Sequence, residues 1–386
     1  MSSNLRLLTG VLLAGTAALA GCGSHAPTPP HPPGGIALVV GGRNNMPRPI
    51  LAIRARQELD AAFRSRDTLF IVGVSGTPKL LYTEQIESRC DSTRACDAAA
   101  DAYLTKVDGL LARVTADSPE ADQLGAIATA ADRLSALAST GPRQIVVIDN
   151  GLQTAGDMPL QAPGALAVDP AEQAAAVVKN KSLPSLANID VLLDGLGAGY
   201  RPQPDLNRDA QLKVRNLWTT VLTKAGANVT VVPSELNNAL APAPNLPAVT
   251  PVVLDQKPVP GGGQCIRIRD DQVGFLPGKD VFRDPAAARE VLVPIADQLK
   301  KQKLTISVIG TTALPEPAPF PLSTKRAKRV AGVLSDLGVS PSSMITGGVG
   351  TGFSGFKPDT HPDGSLVPSL AMQNRLVIIN PVGSNC

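Results

Sequence analysis

Histidine is scarce in this chain. Three occur among 386 residues, His25, His31 and His361, too few and too scattered for most histidine-based metal or catalytic sites. Aromatic residues make up 3% and there is one tryptophan, so the cores must be built largely from Ala, Val, Leu and Ile. An excess of one charge is also missing. The 36 Lys and Arg against 33 Asp and Glu leave a formal net charge of +3 with no basic stripe, and nucleic acid is not expected as a partner. Beyond the N-terminal 20 residues there is no apolar run of about 18 residues or more, the length a spanning helix needs. What is plentiful is Gly and Pro, 35 of each, which marks long loops and linkers. With 43% hydrophobic and 18% charged residues the chain can form packed cores, which excludes wholesale disorder. At about 100–200 residues per domain, two or three domains are expected.

Residues 1–21 read as a secretory signal peptide. Arg6 is a short positive region, and residues 7–20 form an apolar run too short and small-sided to span a bilayer comfortably. The run ends in Leu19-Ala20-Gly21-Cys22, which resembles a bacterial lipobox. In such a segment Cys22 supplies the thiol for a thioether-linked lipid, and small residues before it admit the peptidase. The resemblance implies an exported protein anchored to a membrane on its extracytoplasmic side, where two or more acyl chains hold firmly and one would be marginal. An ordinary signal peptide with an incidental cysteine is the alternative. Residues 22–35 are a proline-rich tether, able to reach about 40 Å at ~3.1 Å per residue.

Setting Cys22 aside leaves Cys90, Cys96, Cys265 and Cys386. An even remainder in an exported chain suggests two disulfides, with three pairings open. The favoured set is Cys90–Cys96, close together in a polar loop, and Cys265–Cys386, clamping the ends of the C-terminal region. A zinc site is the rival reading, but it has neither nearby histidine nor Cys-x-x-Cys spacing.

Residues 36–235 alternate strand and helix patterns. Apolar runs at 36–40, 69–74, 144–148, 189–193 and 228–232 read as buried strands, with 78–86 as an edge strand. Helical spacing covers 50–66, 95–137 with a break near Ser118-Pro119, 169–179 and 208–224. The pattern predicts a three-layer α/β domain with a mostly parallel sheet. Ligands in such sheets sit beyond the carboxyl ends of the strands, which makes Asn44, Asn45, Ser75 and Asp149 the candidate site. Helix N-caps fall at the same ends, so the clustering also arises without a ligand. The element order resembles a von Willebrand factor A-like domain, with Asp149-Asn150-Gly151 similar to the turn that helps hold that family's metal. The family's Asp-x-Ser-x-Ser is replaced by Gly41-Gly42-Arg43-Asn44-Asn45, without a carboxylate, so no metal is expected.

Residues 236–263 hold six prolines between Pro242 and Pro260 and end in Gly261-Gly262-Gly263, the composition of a linker. Residues 264–386 read as an α+β unit of order βαβαββ. Here the chain resembles the OmpA-like peptidoglycan-binding domain. The matching residues are Val273-Gly-Phe275 with Phe282, Ile309-Gly310, Leu322-Ser-Thr-Lys-Arg-Ala327 with Val330 and Leu334, Gly338-Val339, Gly348, Gly350 and Asn374-Arg375. The resemblance implies binding of the diaminopimelate of the cell-wall stem peptide. In that family an Asp after the second strand and an Arg in the Leu-Ser-x-x-Arg-Ala helix take its ammonium and carboxylate ends, Arg matching carboxylate with two prongs. Arg326 stands at the arginine position; the alternative for it is a plain exposed helix residue. Ala313 stands at the aspartate position, and Glu316 is the carboxylate that could substitute. Thr312 and Asn374 complete the candidate site, and Arg375 could instead be a structural pair, the more usual role for such a residue.

Other motifs are weak. Gly350-Thr-Gly352-Phe-Ser-Gly355 matches a nucleotide loop by letters, but no helix pattern follows it. Gly73-Val-Ser75-Gly76 is no nucleophile elbow and has no histidine base in its region. Lys325-Arg326 with Lys328-Arg329 reads as a solvated face, and Trp218 as core. No nucleophile, base and orienter converge, so neither turnover nor a cofactor is expected. The sequence reads as a cell-envelope lipoprotein that anchors membrane to wall through peptidoglycan. The alternative is an envelope protein-interaction or sensory module whose α/β domain binds a protein ligand and whose C-terminal domain has lost wall binding.

Overall fold

The structure, a computed structural model, describes residues 30–232, 240–252, 265–315 and 318–384. The expected signal segment, Cys22, Glu316 and Cys386 lie outside them.

The first sheet has six strands in the order β3-β2-β1-β4-β5-β6. They are β1 (Gly35–Gly41), β2 (Thr68–Val74), β3 (Lys79–Gln85), β4 (Arg143–Ile148), β5 (Ile189–Asp194) and β6 (Asn228–Val231). All pairs are parallel except β2–β3, so β3 is an antiparallel edge. The register makes each row of side chains apolar on its own face. Ile71, Leu38, Val146 and Leu192 lie side by side and face one core, with α1 (Ile53–Ser65) and α2 (Thr93–Leu111). The next row, Val72, Val39, Val147 and Leu193, faces the other core, with α3 (Gln123–Ser135), α4 (Pro170–Lys179) and α5 (Arg208–Lys224). Both faces being covered explains why these strands read as unbroken apolar runs rather than alternating ones. Trp218 is buried in the second core and its indole Nε1 donates to the Gly151 carbonyl at 2.8 Å.

Two boundaries differ from the sequence reading. The proline-rich tether gives way to folded chain earlier than expected: Gly34 N donates to Asp67, and Gly141 N to the Pro33 carbonyl. Part of the expected linker also packs on the first sheet's unit. Val249 and Val252 are buried in its core, Gln203 bonds both the N–H and the carbonyl of Val252, and Thr250 bonds Glu120. Proline spacing marked this segment as irregular but could not show that its two valines are anchors.

The second sheet runs β7-β10-β8-β9, from β7 (Ile266–Arg269), β8 (Ile306–Gly310), β9 (Met344–Gly348) and β10 (Leu376–Pro381). β10 lies antiparallel to β7 and β8, and β8 is parallel to β9. Helices α6 (Pro285–Gln302) and α7 (Pro319–Asp336) bury Leu292, Ile295, Val330 and Leu334 against Ile268, Val308, Val377 and Ile379. A short helix, α8 (Pro368–Ala371), precedes β10. The alternation seen from 265 to 275 predicts a long first strand, but β7 stops at Arg269. The chain then turns, and Phe275 pairs with Phe282 as an isolated bridge with rings 5.0 Å apart. The helix carrying Arg326 begins a turn before the expected Ser323. A Cβ on Gly310 would sit 2.0 Å from the Ser323 carbonyl oxygen, so this glycine lets α7 close on the end of β8.

Candidate functional site

The carboxyl ends of β1 and β4 hold a closed ionic knot. Arg43, whose side chain is sealed from solvent, donates to both carboxylate oxygens of Asp149 at 2.6 and 3.1 Å, to Asn150 Oδ1 at 2.9 Å and, through Nε, to Asn45 Oδ1 at 3.4 Å. Gln123 Nε2 and the Gly151 N–H add two more donors to Asp149 Oδ1. Of the four residues expected here, the structure brings Asn45 and Asp149 together through Arg43. Asn44 lies beside them, half-buried, with its Oδ1 unpartnered among the described residues. Ser75 belongs to a separate turn, bonding Thr77 and Asp117. A guanidinium therefore stands at the centre of the strand-end cluster, and a Cβ on Gly41 would collide with Asp149 Oδ2 at 2.2 Å. Among the described residues no group of three His, Cys, Asp or Glu side chains is placed to hold a metal ion. The sequence signal for this knot was the lone cation in Gly41-Gly42-Arg43-Asn44-Asn45, opposite Asp149.

In the C-terminal region α7 and the segment after β8 are joined through Gly350. Ser323, one turn before Arg326 on α7, accepts from the Gly350 N–H through its hydroxyl, and the Gly350 carbonyl accepts from Thr312 N. Arg326 is buried. Its Nε donates to the Lys279 carbonyl at 3.0 Å, and its guanidinium lies 5.1 Å from the Phe275 ring centre, a cation–π arrangement. It is not the exposed helix residue that its sequence neighbours suggested. Thr312 is buried and its Oγ1 has no hydrogen-bond partner among the described residues. Asn374 is buried and ties down the loop before β10, bonding both the N–H and the carbonyl of Lys357. Ala313 is nearly sealed from solvent. Glu316 lies outside the described residues.

Two buried carboxylates flank this region that sequence reading did not single out. Asp270 accepts from Arg283 and from the Phe275 N–H. Burial pushes its carboxyl above the usual range, opposed by Arg375, Arg283, that N–H and Arg326. Asp359 accepts from Asn374 Nδ2 at 2.7 Å and from the Leu314 N–H. Burial raises its pKa as well, opposed by those two donors and by Arg375. Asp359 sits in an irregular loop where no periodicity or spacing points to it.

The first sheet's unit packs against this region through polar contacts and one buried methionine. Arg375 forms a two-pronged ion pair with Glu172 of α4. Arg283 reaches the Ala167 carbonyl and lies 3.9 Å from Asp169, the N-cap of α4. His361 Nε2 lies 3.0 Å from Asp157 Oδ1, and Met372 is buried in the first unit's core. The structural-pair reading of Arg375 therefore describes its place.

Cys90 and Cys96 form a disulfide, at the entry to α2. Cys265 is also disulfide-bonded; Cys386, the partner expected for it, lies outside the described residues. No described helix is long and apolar enough to cross a membrane.

No protein-family model matches the chain, and no curated protein does. Solved structures similar to part of it include the periplasmic domain of Helicobacter pylori MotB, at 20% identity over 30% of this chain and 70% of that one, TM-score 0.26. The cell wall anchor of the T6SS from Pseudomonas aeruginosa is 25% identical over 30% of this chain and 78% of that one, TM-score 0.24. The OmpA-like domain of FopA1 from Francisella tularensis is 20% identical over 30% and 72%, TM-score 0.22.

Proposed function

We propose that this chain is a cell-envelope lipoprotein whose C-terminal OmpA-like domain, residues 264–386, holds the cell wall non-covalently by the diaminopimelate of the stem peptide. The observation that carries the reading is the meeting of Leu322-Ser-Thr-Lys-Arg-Ala327 with the Thr311–Leu314 segment at the end of β8, joined through Ser323, Gly350 and Thr312. Diaminopimelate presents an ammonium and a carboxylate at one carbon, so its receptor needs a donor and an acceptor within a few ångströms. Arg326 is the carboxylate partner in this reading. The lipid on Cys22 would fix the other end of the molecule to a membrane. The region from 36 to 235 is read as a von Willebrand A-like three-layer domain, supported by helices over both sheet faces and by the antiparallel edge strand β3. Its knot around Arg43 gives it no metal-dependent role in this proposal.

A second reading is favoured by a specific observation: Arg326, Thr312 and Asn374 are all buried, and Ala313 replaces the aspartate. On that reading the C-terminal domain is an interaction scaffold for envelope proteins. Co-sedimentation of the full-length chain, in detergent with disulfides intact, with purified diaminopimelate-type sacculi separates the two. Wall anchoring predicts saturable binding that Arg326→Lys weakens, because a point charge loses the two-pronged match. Absence of binding by the native chain favours the scaffold.

A further inference from the structure

The two loops that hold Arg326 and Asn374 also hold the first sheet's unit. The loop from 270 to 283 places the Phe275 ring and the Lys279 carbonyl against Arg326. Its last residue, Arg283, donates to the Phe275 carbonyl at 3.3 Å and to the Ala167 carbonyl of the first unit at 3.4 Å. Asp271, in the same loop, lies so near the first unit that a Cβ on Gly164 would come within 2.9 Å of its Oδ1. The second loop runs from 357 to 375. Asn374 ties back to its start through Lys357. Along it His361 meets Asp157, the Leu366 carbonyl accepts from Asn180 at 3.4 Å, Met372 enters the first unit's core and Arg375 pairs with Glu172.

The charges at this junction are sorted by side. Arg283 with Asp169, His361 with Asp157 and Arg375 with Glu172 each take the base from the C-terminal region and the carboxylate from the first unit. Faces of opposite sign draw together as wholes and fix one register. The side chains of these pairs keep between 10% and 29% exposure, so water reaches them, unlike the sealed Arg43–Asp149 pair. A polar junction within one chain behaves as a transient interface does, with relative motion of its two sides as the default.

We infer that the first sheet's unit is a removable cover on the C-terminal domain: docked, it pins both loops around Arg326 and Asn374, and undocked, it frees them to admit the wall peptide. The inference rests on the wall-binding reading and adds its regulation. It makes the burial of Arg326, Thr312 and Asn374 a closed state rather than a lost site. Apparent affinity for the wall then scales with the fraction of molecules that is open. By linkage, wall binding must loosen the docking as much as docking weakens wall binding.

The test uses the full-length chain in detergent, disulfides intact, with diaminopimelate-type sacculi. Glu172→Lys combined with Asp157→Asn sets a cation against Arg375 and removes the charge facing His361. Both changes lie on the first unit and leave Arg326 and its contacts untouched. Hydrogen exchange in α4 and in residues 366–375 reads undocking, and co-sedimentation reads wall binding. The expected result is faster exchange in both segments and about tenfold less wall at half-saturation. Faster exchange with unchanged or weaker binding overturns the inference and leaves the wall-binding reading standing. Unchanged exchange also overturns it, since the sorted pairs then do not hold the units together. Absence of binding by both the native chain and the variant sinks the wall-binding reading itself, a result distinct from the other two. If the variant loses the Trp218 fluorescence of the folded first unit, the native chain decides. Saturating sacculi must then speed exchange in α4 and in 366–375, and unchanged or slower exchange overturns the inference.

Discussion

Asp149 and Asp359 are both at 0% exposure, and both lie close to the end of a central strand of their own sheet. Their surroundings differ in one respect. Asp149 faces a guanidinium that meets both of its oxygens, with an amide and a backbone N–H completing the shell. Among the described residues Asp359 accepts from neutral donors, Asn374 Nδ2 at 2.7 Å and the Leu314 N–H at 3.2 Å, while Arg375 acts on it without an ion-pair contact. The first region has internalised its cation and has no room for another. The second keeps an acceptor without a cation. A closed strand end and an open one follow from which residue stands opposite the carboxylate: Arg43 in one case and Ala313 beside Leu314 in the other.

The largest effect expected from this comparison comes from breaking the closed knot. Arg43→Ala leaves Asp149 buried and uncompensated, which costs about 3–5 kcal/mol. The single tryptophan makes this measurable, because Trp218 bonds the Gly151 carbonyl and the Gly151 N–H bonds Asp149. Urea unfolding followed by tryptophan fluorescence should show a large fall in midpoint. A fall no greater than that of an exposed salt bridge would mean that water already screens the pair.

Next in size is the ion pair between the two units. Glu172→Gln keeps one acceptor for Arg375 but removes its charge, with an expected loss of about 1.5–3 kcal/mol. Hydrogen exchange across β10 and α4 is the readout. Faster exchange in both would tie the units together through Arg375. Faster exchange in α4 alone would place Glu172 in the first unit's stability and leave Arg375 to its neighbours Asp270 and Asp359.

Asp359 itself should show the opposite of a paired carboxylate. Its folded pKa is raised, burial being the leading cause, so the folded chain holds its proton more tightly than the unfolded chain. The stabilising contribution of that proton is full below the ordinary carboxylate range and is lost as pH rises through the raised folded pKa. In the absence of wall, Asp359→Asn should therefore gain on the native chain as pH rises from about 4 towards neutrality. Urea midpoints across that range check it. A variant that loses ground with rising pH would place Asp359 among the paired carboxylates and remove the contrast with Asp149.

Much of the fold was legible in the residues, and the reason is physical. Strands buried on both faces must be apolar throughout, so 36–40, 69–74 and 144–148 announced themselves, and Leu322-Ser-Thr-Lys-Arg-Ala327 placed α7 within a turn. The candidate sites were legible only in part. Asn45 and Asp149 were found because helix and strand ends gather there, but Arg43 was passed over as a break in a motif, although it is the group that fills the site. Arg326 was found by its motif, while its burial depends on Phe275 and Lys279, in a loop whose first part, as far as Phe275, has the alternation of a strand. Asp359 and the Glu172–Arg375 pair could not be seen. The first lies in an irregular loop, and the second joins residues 203 positions apart through a docking that no local periodicity encodes.

The smallest expected effect isolates burial as the variable. Lys79 and Asp117 form an ion pair at the start of the edge strand β3, with side chains 58% and 50% exposed. The hydrogen bond from Lys79 is the main reason the Asp117 carboxyl lies below its ordinary value. The sign is that of a depressed acid, so the contribution is present above about pH 4 and is lost as pH falls through the folded pKa. Lys79→Met should cost no more than about 0.2–1 kcal/mol at neutral pH. About 1 M salt should remove most of that, since the screening length falls to ~3 Å. The Arg43–Asp149 pair has the same chemistry and no exposure, so its cost should survive the salt. Equal salt sensitivity in the two pairs would mean that solvent reaches the knot, and the strand end of the first sheet would then be open to a ligand after all.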